Sequence, residues 1–450
     1  MDPEKIQPVV SAKIPVLRDT AKKMIEMLDN GASYDELFVT VKVLAKEWET
    51  QDHVAHAKVV ALFEDRDTQE YKDLRVLFHT IHRQVLRSLL LGTLPYDLHD
   101  KDHPNWKYIY EGHGAGAYLI GLSINGRRGA FLNREEIEVV IGHLQDYKEG
   151  CEAWMKIKGS YDQEGLTDEE QSSLRKALDI DNTVLRENQE WDSENDKFIA
   201  PKCLSGRKGT SNIQALIEML RRRVNPALDG QAPQLSSPVY IGCGMGVASR
   251  MIQHDPDFHS MDTSSHVLRL LISCIRYSDL KLLVHGVPII MVWDVSQIAS
   301  AEVLVTVLAQ SLISMNGLNV IQPGTNTTRE RKTSVYDEMR KHVWVKRPWF
   351  EENIRQSLGA RENRDIYKST LQTINTNFKT SQELKDATGE VHRLRSQAQD
   401  HPSMAADAME HIKERTRRAE EHLEKLKELS ALAPGIFPDK TQQSPNEDED

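Results

Sequence analysis

Residues 238–254 read Pro238-Val-Tyr-Ile-Gly-Cys-Gly-Met-Gly-Val-Ala-Ser-Arg-Met-Ile-Gln-His254, and their pattern changes twice. Val239-Tyr-Ile-Gly242 is a β-branched and aromatic run bounded by a proline, which predicts a short strand. Gly242, Gly244 and Gly246 then mark a tight turn or a close backbone approach. Val247 to His254 contains neither glycine nor proline and predicts a helix. The alternation continues downstream. Val267 to Ile275 predicts a second helix and Val284 to Trp293 an apolar strand. Glu302 to Met315 predicts a helix stopped by Asn316-Gly317, with Leu318 to Ile321 as a last short strand.

Working outward, Gly114-Ala-Gly-Ala-Tyr-Leu-Ile-Gly-Leu-Ser-Ile-Asn-Gly126 predicts a strand entering a hairpin at Asn125-Gly126. Asn133 is placed to cap a helix bearing Ile137, Val140, Ile141 and Leu144. Residues 158–210 are polar and read as an insertion with short helices. Ile213 to Val224 predicts a further helix, and Pro233 to Pro238 a linker. In the N-terminal region Leu17, Ala21, Met24, Ile25 and Leu28 recur at helical spacing before Gly31, and Ser33 with Glu36 forms a capping-box pattern. His79 and His82 lie three apart without a third ligand in sight, and read as a polar helix face. Beyond Gly324, Ala408, Ile412, Thr416, Ala419, Leu423 and Leu426 step by fours and threes, as in a helix pair or a short coiled coil. The expected fold is α+β, a small sheet with flanking helices inside a mostly helical protein with a long C-terminal helix. The expected divisions are helices over 1–105, the α/β domain over 106–325 with a helical insertion at about 145–235, helices over 326–432, and a disordered acidic tail over 433–450.

Composition narrows the function classes. Apolar residues make up 39% of 450, charged residues 28% and aromatics 6%, with a net charge of −11. That balance suits long polar helices more than β structure and argues against a non-specific nucleic-acid coat. Basic clusters at Arg127-Arg128, Arg221-Arg222-Arg223 and Arg329 to Lys332 read as solvated faces or local phosphate contacts, since a field acts over about 10 Å at 0.1 M salt. Cys151, Cys203, Cys243 and Cys274 are widely spaced and predict buried thiols in a reducing compartment. With no apolar signal segment and no run near the ~20 residues needed to span a bilayer, the expected location is intracellular, in nucleus or cytoplasm, with no membrane partner.

The 238–254 string resembles the second half of the GIY-YIG nuclease signature. In that family a strand with Tyr-(Ile/Val)-Gly precedes a helix with Arg ten positions after the Tyr and often His four further on. Tyr240, Gly242, Arg250 and His254 have that spacing. The family's first half finds its nearest counterpart in Gly116-Ala-Tyr118, more than a hundred residues upstream, and Gly317-Leu-Asn319 resembles the closing Asn. The resemblance implies a metal-dependent endonuclease, or a catalytically reduced relative that binds nucleic acid. It assigns catalytic roles to Tyr118, Tyr240, Arg250 and His254 and a substrate-side role to Gly242; Glu302, the only acid on its helix, is the nearby candidate for Mg²⁺, and the basic Arg329, Arg331 and Lys332 just after the module are placed to contact substrate phosphates. A guanidinium can neutralise the charge built up in phosphodiester hydrolysis, and a tyrosine near a metal can take a proton from water. One departure stands out: Ala309 occupies the position where the family's metal-binding Glu aligns.

Two other readings stay open. Ile241-Gly-Cys-Gly-Met-Gly246 also resembles the glycine loop of Rossmann-like S-adenosylmethionine methyltransferases, with Asp262 near the distance of the next strand's acid. That reading needs the polar Asp257 to Met261 as a buried parallel strand. The third reading is a non-enzymatic interaction protein, in which the module is structural and the C-terminal helix recruits a partner or a second copy. Each residue also has a plain structural role: Tyr240 as a half-buried strand aromatic, Arg250 as a surface arginine, His254 as a helix cap.

Overall fold

The computed structural model describes residues 16–47, 55–157, 165–185, 198–205, 209–224, 229–259, 264–320, 333–345, 347–400 and 405–432, with a few single residues between these stretches. The chain forms two compact units, Met1–Ser357 and Leu358–Asp450. The boundaries expected near 105 and 325 fall inside the first.

The first unit opens with helices α1 (Asp19–Asp29), α2 (Tyr34–Lys46), α3 (Ala55–Leu62), α4 (Gln69–His79), α5 (Arg83–Leu91) and α6 (Leu94–Asp97). The Ser33–Glu36 capping box is present at the start of α2. Strand β1 (Gly116–Ile124) follows, then α7 (Arg134–Ile157), α8 (Asp168–Asn182) and α9 (Gly209–Arg223). Asn133 caps α7 by accepting from Glu136 N–H at 2.9 Å. Next come β2 (Tyr240–Gly244), α10 (Val247–Ile252), α11 (His266–Tyr277), β3 (Leu282–Met291), α12 (Gln297–Ala309) and α13 (Thr333–Val345).

The sheet has the order β2-β1-β3 and both pairings are antiparallel. Every residue of β1 is buried, as its unbroken apolar run requires of a central strand covered on both faces. Tyr118 pairs with Gly242 and Ile120 with Tyr240. The pairing expected for Asn125-Gly126 is absent: the turn forms, with Arg127 N–H donating to the Ile124 carbonyl, but the chain continues into α7 rather than into a hairpin partner. Both neighbours of β1 come from far along the sequence, because turn residues specify a reversal and not what pairs after it.

Helix α12 is apolar on all sides and buried nearly throughout, the pattern of a core helix. It packs between the sheet and α2, α4 and α5, so the N-terminal helices share one hydrophobic core with the strands. It starts five residues and ends six residues earlier than the sequence suggests. Gln310 adopts the left-handed conformation (φ 49°), and Ser311 N–H reaches back to the Thr306 carbonyl, which ends the helix before Asn316-Gly317. Leu318 to Ile321 is no strand over its described residues. Leu318 N–H donates to the Val239 carbonyl, and the Asn319 amide both accepts from Ile241 N–H at 2.8 Å and donates to the Ile241 carbonyl at 2.7 Å. A single side chain thus closes the outer edge of β2, where unpaired backbone groups would otherwise be left.

Several surface readings are corrected. Arg223 is 2% exposed, and Arg222 donates to the carbonyls of Ile313 and Met315, so the α9 arginines fasten that helix to the segment after α12. His79 is buried against Ser357, while His82 belongs to the next helix start and stacks on Tyr108 with ring centroids 3.4 Å apart. The 233–238 segment is no free linker, since Gln234, Ser236 and Ser237 are buried.

The second unit holds most of α14 (Pro348–Asp400) and α15 (Ala405–Leu432). Leu384, Ala387, Val391 and Leu394 are half-buried at helical spacing on α14, as are Ile412 and Ala419 on α15. The charges of Arg415 and His411 on α15 act on Glu390 of α14, so the two helices lie side by side there. Among the described residues no helix is long and apolar enough to cross a membrane. The acidic tail over 433–450 lies outside the described residues.

Candidate functional site

Alternation along β1 and β2 puts Tyr118, Tyr240 and Gly242 on one face of the sheet. Helix α10 covers that face. Glycine is required at 242 because a Cβ there would overlap the Tyr118 hydroxyl. Gly242 has a packing role: it makes room for the ring across the strand pair. A Cβ at Gly286 of β3 would likewise press on Met251 at 2.9 Å, so the floor beneath α10 is kept low by glycine.

Helix α10 ends at Ile252, so Arg250 and His254 do not share a helical face. His254 instead reaches in from the turn after the helix and is fully buried. Its ring lies between the two tyrosines, with centroids 5.7 Å from Tyr118 and 5.2 Å from Tyr240. Tyr118 Oη lies 2.9 Å from His254 Nε2, and His254 Nδ1 lies 2.9 Å from Ser264 Oγ. Ser264 spends its hydroxyl proton on the Gln253 carbonyl at 3.2 Å. The direction of the chain follows from that last bond: Ser264 must accept from His254 Nδ1–H, so Nε2 is the acceptor for the Tyr118 hydroxyl. This assigns a neutral imidazole, and burial, with the nearby Arg250 charge, pulls its pKa down to about 4.

The tyrosines are held protonated. Burial pushes Tyr118 well above the usual phenol range. Burial, then the Glu302 charge, pushes Tyr240 up to about 12, with Arg250 opposing. Arg250 is half-buried and its Nη1 donates to Gln253 Oε1 at 2.6 Å. Glu302, on α12, is 8% exposed. Its Oε2 accepts from Gly324 N–H at 2.8 Å, and the Cys243 thiol also bonds to it. Burial raises its pKa despite both bonds.

Mg²⁺ is usually held by one or two ionised carboxylates together with substrate phosphates. Among the described residues no group of three His, Cys, Asp or Glu side chains could hold a metal. The carboxylate beside Tyr240 is buried, already hydrogen-bonded, and shifted towards its protonated form. Ala309, the aligned position for the family's Glu, is the last residue of α12 and carries no ligand atom. This donor set does not fit a resident Mg²⁺.

The structure thus brings Tyr118, Tyr240, Arg250 and His254 together and leaves Glu302 within electrostatic reach. Arg329, Arg331 and Lys332 lie outside the described residues. The partners that the sequence reading missed are Ser264, Gln253, Cys243 and the Gly324 amide. None carries a motif of its own, and each is recognisable only once the chain is folded. The parallel sheet required by a methyltransferase loop is not what Gly242 to Gly246 enter: the strands are antiparallel, and Asp257 to His259 form turns and a bend. Asp262 lies outside the described residues. Comparison with protein-family models, curated proteins and solved structures finds no match to this chain.

Proposed function

We propose that this protein is a catalytically reduced, GIY-YIG-like protein that works by binding rather than by phosphodiester cleavage. The observation that carries this is the closed Tyr118–His254–Ser264–Gln253 hydrogen-bond chain. A general base must be unprotonated, poised near the working pH and within reach of water. Here both tyrosines are locked as phenols, and the imidazole, though neutral, has both ring nitrogens engaged inside the fold. The Glu302 carboxylate is engaged as well. Of the residues with the spacing of a nuclease motif, Tyr240, Gly242 and His254 therefore serve the fold from inside, and Arg250 keeps a part-exposed side chain.

Binding is assigned to two surfaces. The half-exposed Arg250 is suited to a phosphate oxygen. On α14, Tyr367, Leu371, Ile374 and Phe378 are exposed at helical spacing, which suits a helical protein partner or a second copy of the chain. The test is a cleavage assay on the full chain with Mg²⁺ or Mn²⁺, using single-stranded, duplex and branched DNA and RNA. The expected result is no turnover, equal to that of Arg250→Ala. Metal-dependent cleavage by the wild type that Arg250→Ala abolishes would overturn the proposal and restore the nuclease reading.

A further inference from the structure

Arg223 ends α9 deep in the first unit, and no ion pair to it occurs among the described residues. Its Nη1 donates to the Ser236 carbonyl at 3.0 Å, to Gln234 Oε1 at 3.3 Å and to Ser236 Oγ at 3.4 Å. Its Nη2 donates to the Asn316 carbonyl at 3.3 Å. Its Nε is buried and has no hydrogen-bond partner among the described residues. Gln310, 5% exposed and held in the left-handed conformation, likewise has a buried Oε1 with no partner among the described residues. Both residues line one cavity of about 30 Å³, together with Gly92, Ser237 and Ala309.

A charge buried without an opposite charge is rare, because desolvation is only partly offset by neutral dipoles. Guanidinium does not escape the cost by losing its proton at neutral pH. The nearest other charge acting on it is Arg222, which has the same sign and worsens the balance. The cavity supplies donors for an anion. Besides Arg223 Nε–H, Ser237 Oγ accepts from Leu122 N–H and keeps its own proton to donate. The Gln310 amide can turn its nitrogen inward, since oxygen and nitrogen have nearly the same shape. Size then decides the class. A single water needs roughly 10–15 Å³, so a space of about 30 Å³ suits one small ion in place of water, and a monatomic anion fills it with the least demand on its walls.

We propose that this cavity binds a halide-sized monovalent anion, with chloride as the natural ligand, against Arg223 Nε. The bound ion neutralises the buried guanidinium and fastens α9 to the 310–316 segment that leads to Asn319. Thermal unfolding of the full chain in sodium chloride and in sodium gluconate at equal ionic strength tests it, gluconate being too large to enter. The expected result is a midpoint higher by roughly 2–4 °C in ~150 mM chloride, saturating with concentration. Arg223→Met should lose that difference. Because this variant removes four bonds and can fail to fold, Ala309→Leu, which fills the cavity and leaves the guanidinium in place, should lose it too. Equal wild-type midpoints in the two salts would mean that the cavity holds only water and would overturn the proposal. So would a chloride effect that survives in Ala309→Leu, which would be a general salt effect.

Discussion

Acidification should unlock the fold through His254. The unfolded imidazole has a pKa of about 6.5, while the buried one is pulled down to about 4. A base with a depressed folded pKa contributes stability above the unfolded value and loses it as pH falls through the window between the two. The window here is pH 6.5 to 4. At about 1.36 kcal/mol per unit, the stake is roughly 3 kcal/mol, a large part of a typical folding free energy of about 5–15 kcal/mol. Protonation would also put a donor on Nε2 opposite the Tyr118 hydroxyl and end the chain's direction. His82 and His285 are pulled down to about 4 as well, and burial also lowers His79, His143 and His266, so the wild-type slope contains several such contributions. His254→Gln separates one of them. Its amide oxygen can still accept from Tyr118, but it does not titrate. Urea unfolding followed from pH 7.5 to 4.5 should show a wild-type slope steeper than the variant's by about one proton, near 1.4 kcal/mol per pH unit in mid-window. Parallel slopes would refute the buried neutral imidazole and, with it, the hydrogen-bond direction on which the non-catalytic reading rests.

Two further perturbations address other parts of the fold. Asn319→Ala removes both bonds to Ile241 and leaves a buried amide and carbonyl unpaired, at roughly 1–3 kcal/mol for each group; faster hydrogen exchange at the Ile241 amide is the signature, and unchanged exchange would show that the edge is closed by something else. Asp181 has the opposite pH behaviour to His254: burial pushes its carboxyl up to about 6, so its contribution is present below the unfolded value near 3.9 and is lost as pH rises through 6. Asp181→Asn should accordingly gain on the wild type by roughly 3 kcal/mol between pH 4 and 7, read from the same urea midpoints.

Local signals were legible where one element decided its own fate. The Ser33–Glu36 box, the Asn133 cap and the unbroken apolar run of β1 all form as their residues require. What was not legible depends on partners distant in sequence. Asn125-Gly126 makes its turn without a hairpin, because β1 takes its neighbours from residues 240–244 and 282–291. The triple arginine of α9 looks like a solvated face, yet Arg223 is buried because the 234–236 and 316 carbonyls converge on it. Helix α12 has no stop signal at Ala309 that sequence rules favour, since Gln310 is a rare choice for the left-handed position.

The same distinction bears on the site. A tyrosine on a strand, an arginine ten residues on and a histidine four beyond that are placed by strand, turn and helix geometry before any chemistry is asked of them. The spacing brings the side chains to one face of the sheet; it does not set whether they face water. Here depth decides. Gly242 admits the Tyr118 ring, His254 swings in behind a helix that has already ended, and Ser264 fills the remaining nitrogen. Each of these moves spends a functional group on the protein itself. A base with its lone pair engaged is inert, and so is a carboxylate that takes up a backbone amide and sits where burial favours its proton. Under the proposed reading, cleavage at this site would require freeing His254 Nε2 and supplying an ionised carboxylate near Tyr240, and Ala309, at the far end of α12, offers neither. What remains in part exposed is Arg250, and on α14 a row of apolar positions is exposed; on the reading proposed above, these are the groups through which the protein binds.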